Sequence, residues 1–272
     1  MSYLTKHQTA AGPRWAVDGR GLAGSFHLGQ LLELPRARIA GLLESIATRE
    51  PVAGAALAPV DSSTEVWAAG VTYLRSREAR EAESSVKDVY SMVYEAERPE
   101  VFFKATGWRV AGDGMPIRIR RDSRWNVPEP ELTVVVNAGG EIVGFCAGND
   151  VSSRDIEGAN PLYLPQAKVY NGSCALGPGI SLCGAEAMED LAVDLTVIRS
   201  GQSLFEGATR TSQLKRGLQD LVDCLLLELA FPQGVLLMTG TGIVPPDTFS
   251  LRPGDAVRIT IGDLTLENHV TA

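Results

Sequence analysis

Histidine, cysteine and aromatic residues are scarce in this chain, and each shortage argues against a class of site. The 272 residues include three histidines, four cysteines and 6% aromatic residues. The cysteines form no CxxC pair and do not cluster with histidine, which disfavours a zinc site or a redox motif and favours small buried apolar side chains. His7, His27 and His269 lie near the chain ends, so no Ser-His-Asp or Cys-His arrangement is indicated.

A basic surplus and a long uncharged apolar run are also missing. The net charge of −8 and the pI near 5 argue against non-specific binding to nucleic acid. With neither a membrane-spanning run nor a signal peptide at the start, we expect no membrane partner and a cytoplasmic location. An anionic substrate is not excluded, because a bound cation can invert the local electrostatic field.

Strand patterns outnumber helical patterns along the chain and do not alternate with them one for one. Residues 28–47 have a helical pattern that Pro35 interrupts, and 212–230 have the clearest amphipathic helix pattern. Prolines and a polar run near residue 60 predict a boundary. We therefore expect a small N-terminal α/β domain at residues 1–62 and a β-rich α+β domain at residues 63–272.

Three carboxylates drawn from two neighbouring segments predict a metal site. In Glu129-Pro130-Glu131, two side chains on an extended segment point the same way. Residues 132–147 have the pattern of a hairpin with an Asn-Ala-Gly-Gly turn, which would bring Asp150 back beside Glu131. Glu129, Glu131 and Asp150 together would suit a hard divalent cation such as Mg²⁺.

Two lysines and a further glutamate are candidates for the chemistry around that ion. Lys168 lies in a loop shaped by glycine and proline, where it would hold a substrate carboxylate or act as a general base. Glu100 is a candidate acid or base, and Lys104 a candidate contact for a substrate anion. An exposed lysine and strand-edge charges are the alternatives for these positions.

Two other segments have weaker signals of function. Thr239-Gly240-Thr241 follows an apolar segment, and its N–H groups and the Thr241 hydroxyl would cradle a carboxylate or phosphate, unless the loop is an ordinary turn. It matches no dinucleotide or P-loop pattern. Residues 75–96 are rich in Arg, Glu, Ser and Ala, which is typical of a solvated helix and also compatible with a helical lid over a ligand.

Over about residues 65–272, the chain resembles the fumarylacetoacetate hydrolase family. The resemblance lies in the order and spacing of the three carboxylates, residues 148–155, Ala167-Lys168 and Thr239-Gly240-Thr241. The resemblance implies a mixed β-roll catalytic domain that holds Mg²⁺, or Mn²⁺ or Ca²⁺ in its place, on Glu129, Glu131 and Asp150. It also implies a small-molecule 2-oxo acid as ligand, with Lys168 and Thr241 around the oxo-acid head. A homodimer or homotetramer is a further expectation from the family.

One departure from the family pattern bears on the reaction. Hydrolase and decarboxylase members often have Asn-Tyr-x-x-His after the first strand and a Glu shortly after that His, and the His–Glu pair orients and deprotonates a water molecule. This chain has Thr72-Tyr73-Leu74-Arg75-Ser76 there, with Ser76 at the position of the His and Glu78 near, but not at, that of the Glu. A serine is not a base near neutral pH without help. The chain therefore resembles the sugar-acid dehydratase branch, which implies metal-dependent dehydration of a 2-keto-3-deoxy sugar acid through an enolate.

The residues leave some roles open within this interpretation. Lys168 is assigned as base and Glu100 as acid, with the reverse assignment as the alternative, and Thr72, Arg75 and Ser76 are expected at the hydroxyl-bearing end of the substrate. A competing hypothesis is a hydrolase or decarboxylase of an acylpyruvate or diketo acid. A third is a metal-containing protein that binds oxo acids without transforming them.

Overall fold

The computed structural model describes residues 2–83 and 87–272, and strands predominate in it. The helices are α1 (Leu28–Leu32), α2 (Arg36–Ile46), α3 (Leu74–Glu83), α4 (Lys87–Glu95), α5 (Arg154–Ala159), α6 (Leu164–Lys168) and α7 (Leu218–Leu226). The first nine strands are β1 (Ser2–Thr9), β2 (Gly12–Val17), β3 (Arg20–Leu22), β4 (Ala47–Pro51), β5 (Ala55–Leu57), β6 (Glu65–Gly70), β7 (Glu100–Thr106), β8 (Pro116–Arg118) and β9 (Asn126–Val127). The other nine are β10 (Pro130–Val136), β11 (Ile142–Asp150), β12 (Ser152–Ser153), β13 (Cys174–Leu182), β14 (Ala192–Arg199), β15 (Gln202–Arg210), β16 (Val235–Met238), β17 (Ala256–Ile261) and β18 (Leu264–Thr271).

Two large mixed sheets organise these strands. An eleven-stranded sheet has the order β4-β3-β2-β1-β13-β11-β10-β16-β6-β7, with β5 paired to β1, and a five-stranded sheet has the order β15-β14-β17-β18-β8. Most neighbours are antiparallel, but β16 pairs in parallel with β6 and β18 with β8. A short pair, β9 and β12, lies beside the metal-site segments.

The centre of the large sheet is apolar on both faces, because each face packs against a different core. Val134 and Val136 of β10 belong to the core that the sheet forms with the five-stranded sheet and α7. Val135, between them, belongs to the core formed with β1–β3, α1 and α2. Successive strand residues point to opposite faces, so a strand covered on both sides has a continuous apolar run instead of alternation.

The N-terminal residues extend the large sheet. Strand β1 pairs with β13 through Leu4 and Ile180, and Leu22, Leu31 and Leu176 share one core. The helical pattern broken at Pro35 is confirmed, since α1 ends at Leu32 and α2 begins at Arg36. The division into domains at residues 1–62 and 63–272 stays a prediction, and the sheet runs through both parts.

The amphipathic helix predicted over 212–230 is shorter in the structure. Helix α7 begins at Leu218, after Gly217, whose N–H donates to the Asp220 carboxylate at 3.1 Å. Leu214 instead forms a β-bridge with Tyr73, so tertiary pairing overrides the helical spacing there. No helix in the described part of the chain is long and apolar enough to cross a lipid bilayer.

Candidate metal centre and active site

The predicted hairpin brings the three carboxylates together. Strands β10 and β11 pair antiparallel, with Glu131 opposite Gly148, and the Asp150 N–H donates to the Glu129 carbonyl at 3.0 Å. Each of the three residues is at most 2% exposed, and one ligand oxygen from each lies within 4.8 Å of the others. Three buried carboxylate oxygens at this spacing suit a hard divalent cation such as Mg²⁺, Mn²⁺ or Ca²⁺.

Crowding of negative charge is evident at Glu131. Burial, followed by the charges of Asp150 and Glu129, raises the pKa of this carboxyl well above its usual value. The Gly240 N–H donates to its Oε2 at 2.7 Å, and this favours the ionised form. A cation among the three carboxylates would relieve their repulsion, as expected of a metal site.

Lys168 reaches the same carboxylates from the end of α6. Its side chain is buried, and its Nζ donates to Asp150 Oδ2 at 3.0 Å and also to Glu129 Oε2. Burial lowers the pKa of Lys168, but the charges of Asp150, Glu129 and Glu157 outweigh it and raise that pKa above its usual value. The surface alternative for this lysine is therefore wrong.

Glu100, at the start of β7, lines the same cavity as the metal ligands. Its carboxylate lies against Gly70, where an added Cβ would be 2.0 Å from Glu100 Oε2. Some of its surface remains accessible, yet protein atoms surround the carboxyl closely enough that burial, then the charge of Glu157, raises its pKa to about 7. Such a carboxyl can exchange a proton near neutral pH.

Helix α3 brings two side chains over the cavity. Ser76 is 4% and Arg80 is 6% exposed, and both line the cavity. Four residues apart, they lie on one face of the helix. Arg80 Nη2 donates to Glu129 Oε1 at 2.7 Å, and its Nε is 3.2 Å from Glu157 Oε1. This face of α3 is therefore not solvated, contrary to the solvated-helix interpretation. Of the predicted lid at residues 75–96, residues 84–86 lie outside the described residues.

Sequence reasoning missed Arg80, Arg154 and Glu157. Glu157 on α5 lines the cavity and accepts a hydrogen bond from Ser152 Oγ at 2.7 Å. Burial raises its pKa, but Arg80 and other neighbours lower it below the usual value. The side chain of Arg154 is 1% exposed and forms an ion pair with Glu129 at 2.9 Å. Arg154 lies within the motif at residues 148–155, but the motif predicts a role for the side chain of Asp150 alone.

The remaining predicted site residues are divided between the cavity and its surroundings. Thr241 lines the cavity. Thr72 donates its hydroxyl to the Thr239 carbonyl at 2.7 Å, and Arg75 has a 59% exposed side chain 4.0 Å from Glu78. Lys104 is fully buried and contacts Asp150. Among the described residues, Thr72, Arg75 and Lys104 are not part of the cavity lining.

Among the described residues that line the cavity there is no histidine. All three histidines of the chain lie in other segments, and the lining residue at the position of the family histidine is Ser76. Glu78, near the position of the partner glutamate, has a 49% exposed side chain that faces Arg75. The described cavity therefore lacks the His–Glu pair that would activate a water molecule.

With this geometry established, comparison with known proteins shows that the chain belongs to the fumarylacetoacetate hydrolase family. The family model described as fumarylacetoacetate (FAA) hydrolase C-terminal matches residues 65–271. This membership confirms the resemblance and the sheet-dominated α+β fold class predicted from the sequence.

Three relatives are similar over most of the chain. A probable 2-keto-3-deoxyxylonate dehydratase of Haloferax volcanii is 50% identical over 220 residues, 79% of this chain and 75% of that protein. The 2-dehydro-3-deoxy-D-arabinonate dehydratase of Saccharolobus solfataricus is 42% identical over 213 residues, 76% of this chain and 70% of that protein. A structure of 2-keto-3-deoxy-D-arabinonate dehydratase complexed with magnesium and 2,5-dioxopentanoate superposes with a TM-score of 0.85 at 33% identity, covering 100% of this chain and 99% of that one.

Proposed function

We propose that this protein is a divalent-metal-dependent hydro-lyase that converts 2-keto-3-deoxy-D-arabinonate to 2,5-dioxopentanoate. The two curated relatives are named for arabinonate and xylonate substrates. D-arabinonate and D-xylonate differ only at C2 and C3, and both centres are lost in the 2-keto-3-deoxy acid. The two names therefore describe the same compound, so the relatives support one substrate.

The observation that carries this proposal is the pairing of a complete metal site with a described cavity lining that lacks the water-activating His–Glu pair of hydrolytic relatives. Glu129, Glu131 and Asp150 suit the ion, and Lys168 and Glu100 face the same cavity. Ser76 occupies the position where hydrolytic relatives have histidine. Dehydration needs a base and an acid but no attacking water, so this set of side chains fits elimination better than hydrolysis.

A divalent cation held by the three carboxylates would polarise the C2 carbonyl of a 2-oxo acid and acidify its C3 protons. A cation on Glu129 and Asp150 would displace the Lys168 ammonium from these carboxylates and lower its pKa. In the proposed assignment, the neutral amine of Lys168 then takes a C3 proton. Glu100 donates a proton to the departing C4 hydroxyl, which leaves as water. A proton then moves from C5 to C3, which leaves an enol at C4 and C5. The hydroxyl proton of that enol is transferred to C4, and the aldehyde forms at C5. The overall change is loss of one water, with no oxidant or reductant required.

The charge balance of the buried cluster suits an anionic substrate. The described cluster contains four cationic side chains, Arg80, Lys104, Arg154 and Lys168, and four carboxylates, Glu129, Glu131, Asp150 and Glu157. With Glu100 protonated, a bound divalent cation leaves a surplus of two positive charges. The substrate carboxylate and the enolate oxygen supply two negative charges, so the reacting state is neutral overall.

Mass-resolved product analysis with Mg²⁺ and 2-keto-3-deoxy-D-arabinonate tests the proposal, with EDTA as control. We expect EDTA-sensitive loss of one water and formation of 2,5-dioxopentanoate. Two fragments or CO₂ from an acylpyruvate or diketo acid, without turnover of the sugar acid, would support the competing hydrolase or decarboxylase. Recovery of every oxo acid unchanged would support a protein that only binds them.

Cytoplasmic location and homo-oligomeric assembly complete the proposal. The absence of a bilayer-length helix among the described residues is compatible with that location. Cell fractionation tests the location. Sedimentation equilibrium of the purified protein, interpreted against the chain mass of 29.1 kDa, separates a monomer from the expected dimer or tetramer.

A further inference from the structure

Lys104 is one of the largest fully buried side chains in the described molecule, and the proposed chemistry gives it no step. Its side chain is 0% exposed and lies behind the metal site, outside the cavity lining. Nζ donates to the Lys168 carbonyl at 2.5 Å and to the Val151 carbonyl at 3.3 Å, and it forms an ion pair with Asp150 Oδ1. It therefore connects β7 to a metal ligand and to the main chain of the candidate base.

The other two metal ligands have a similar arrangement. Glu129 Oε1 is held by Arg80 at 2.7 Å and by Arg154 at 2.9 Å. Glu131 Oε2 accepts the Gly240 N–H at 2.7 Å. In each carboxylate, one oxygen is thus held by a hydrogen bond or an ion pair to a group that the fold fixes in place.

The second oxygen of two of these carboxylates is directed to a common point. Glu129 Oε2 and Asp150 Oδ2 both accept from Lys168 Nζ, whose side chain projects into the cavity. A divalent cation in this position would take the oxygens that Lys168 contacts, leaving those held by Arg154 and Lys104 undisturbed.

From this pattern we propose that Lys104 is a positioning residue that fixes Asp150 for metal binding, and that Arg154 does the same for Glu129. The inference rests on the metal site of the proposed function and does not depend on the reaction or the substrate. It replaces the substrate-anion role expected for Lys104, because the buried ammonium is directed at a ligand carboxylate and two carbonyls.

The direction of the effect on metal affinity separates positioning from simple charge. A lysine that acted only through its charge would repel a divalent cation, so removing it would tighten metal binding. If Lys104 positions Asp150, removing it should instead weaken metal binding. Loss of outer-shell partners of metal ligands weakens metal affinity about 10- to 100-fold, so we expect Lys104→Met to bind Mn²⁺ about 10- to 100-fold more weakly.

The measurement is Mn²⁺ binding to the purified protein without substrate, followed by electron paramagnetic resonance. Lys6→Met is the matched control, because Lys6 also donates to a carbonyl, that of Val60 at 2.6 Å, and lies 3.7 Å from an aspartate, Asp61, far from the metal site. Its Mn²⁺ affinity should equal that of the wild type. Circular dichroism establishes that each variant is folded before binding is compared.

Arg154→Lys provides a second test that keeps the charge and serves if Lys104→Met does not fold. It loses the guanidinium that reaches Glu129, so we expect weaker Mn²⁺ binding here too. Unchanged or tighter binding by a folded variant overturns the positioning role of the residue replaced. Absence of Mn²⁺ binding to the wild type would instead remove the metal site, and the proposed function with it.

Discussion

Gly70 lies where a side chain would meet the Glu100 carboxylate. An added Cβ would be 2.0 Å from Glu100 Oε2, the far end of a flexible side chain that can move aside at low cost. Gly70→Ala should therefore fold with nearly wild-type stability but displace a group that must be placed accurately. Displacement by about 1 Å can cost about 10²-fold in rate, and we expect that loss in kcat.

Thermal unfolding and steady-state kinetics of Gly70→Ala measure the two effects separately. Gly240→Ala is a useful contrast, because Gly240 has a φ of 91° and its Cβ would meet Thr72 Oγ1 at 2.0 Å. That variant should lose stability as well as activity. A Gly70→Ala enzyme with wild-type kcat would contradict the assignment of Glu100 to the reaction.

Glu100 also links stability to pH. The pKa of a glutamate in an unfolded chain is about 4.3, whereas burial and the charge of Glu157 raise that of Glu100 to about 7 in the folded protein. The folded state binds this proton more tightly than the unfolded state. The resulting stability is fully present below the unfolded pKa and is lost as pH rises through about 7.

Glu100→Gln cannot ionise, so it should avoid this loss. In EDTA, the Tm of the variant relative to wild type should increase by a few degrees between pH 5 and pH 8. Differential scanning calorimetry at the two pH values measures the change. An equal Tm difference between Glu100→Gln and wild type at pH 5 and pH 8 would show that Glu100 has the same proton affinity in the folded and unfolded states.

At the scale of elements, helices α3 and α4 are attached to the body of the protein by two cationic side chains. Lys215 Nζ donates to the Tyr94 carbonyl at 2.6 Å and pairs with Glu95 at 2.7 Å. Arg216 Nη1 donates to the Glu97 carbonyl at 3.1 Å. Since α3 packs against α4, these contacts help to hold Ser76 and Arg80 over the cavity.

Replacing Lys215 and Arg216 together by alanine should loosen this attachment. We expect the KM for the oxo acid to increase several-fold with a smaller change in kcat, and hydrogen exchange in residues 87–95 to become faster. Arg210→Ala is the control, because Arg210 pairs with Asp190 on the surface. Equal KM values for the double variant and the control would show that the attachment does not influence substrate binding.

The sequence alone predicts those strands and turns whose own residues have a clear pattern. The valines of β10 and the Asn-Ala-Gly-Gly turn predicted the hairpin that brings Asp150 to Glu131. Helix α3 gave no comparable signal, because Arg80 stands among many Arg and Glu residues. Its burial depends on the carboxylates of Glu129, just before β10, and of Glu157 on α5. Val71, directly after β6, has a φ of 53°, a conformation that β-branched residues rarely adopt and that local propensity does not predict.

At the scale of the whole molecule, the N-terminal residues are part of the main sheet. A chain that begins at residue 63 would leave β13 without its pairing to β1 and expose the side of Leu176 and Ile180 that packs on Leu4 and Leu22. We expect it to be insoluble or to bind a hydrophobic dye, with the loss of cooperative unfolding. A soluble, cooperatively unfolding chain 63–272 would establish the predicted domain boundary instead.

Helix α3 also has a consequence for how such enzymes diverge. The metal ligands lie in and beside β10 and β11, whereas the side chain that distinguishes this cavity from that of hydrolytic relatives, Ser76, lies on α3. A lineage can therefore keep one way of activating 2-oxo acids and acquire another reaction by changing residues of a single covering helix. Related enzymes then share the metal site but break different bonds of the substrate, a C–C bond in hydrolysis and a C–O bond in dehydration.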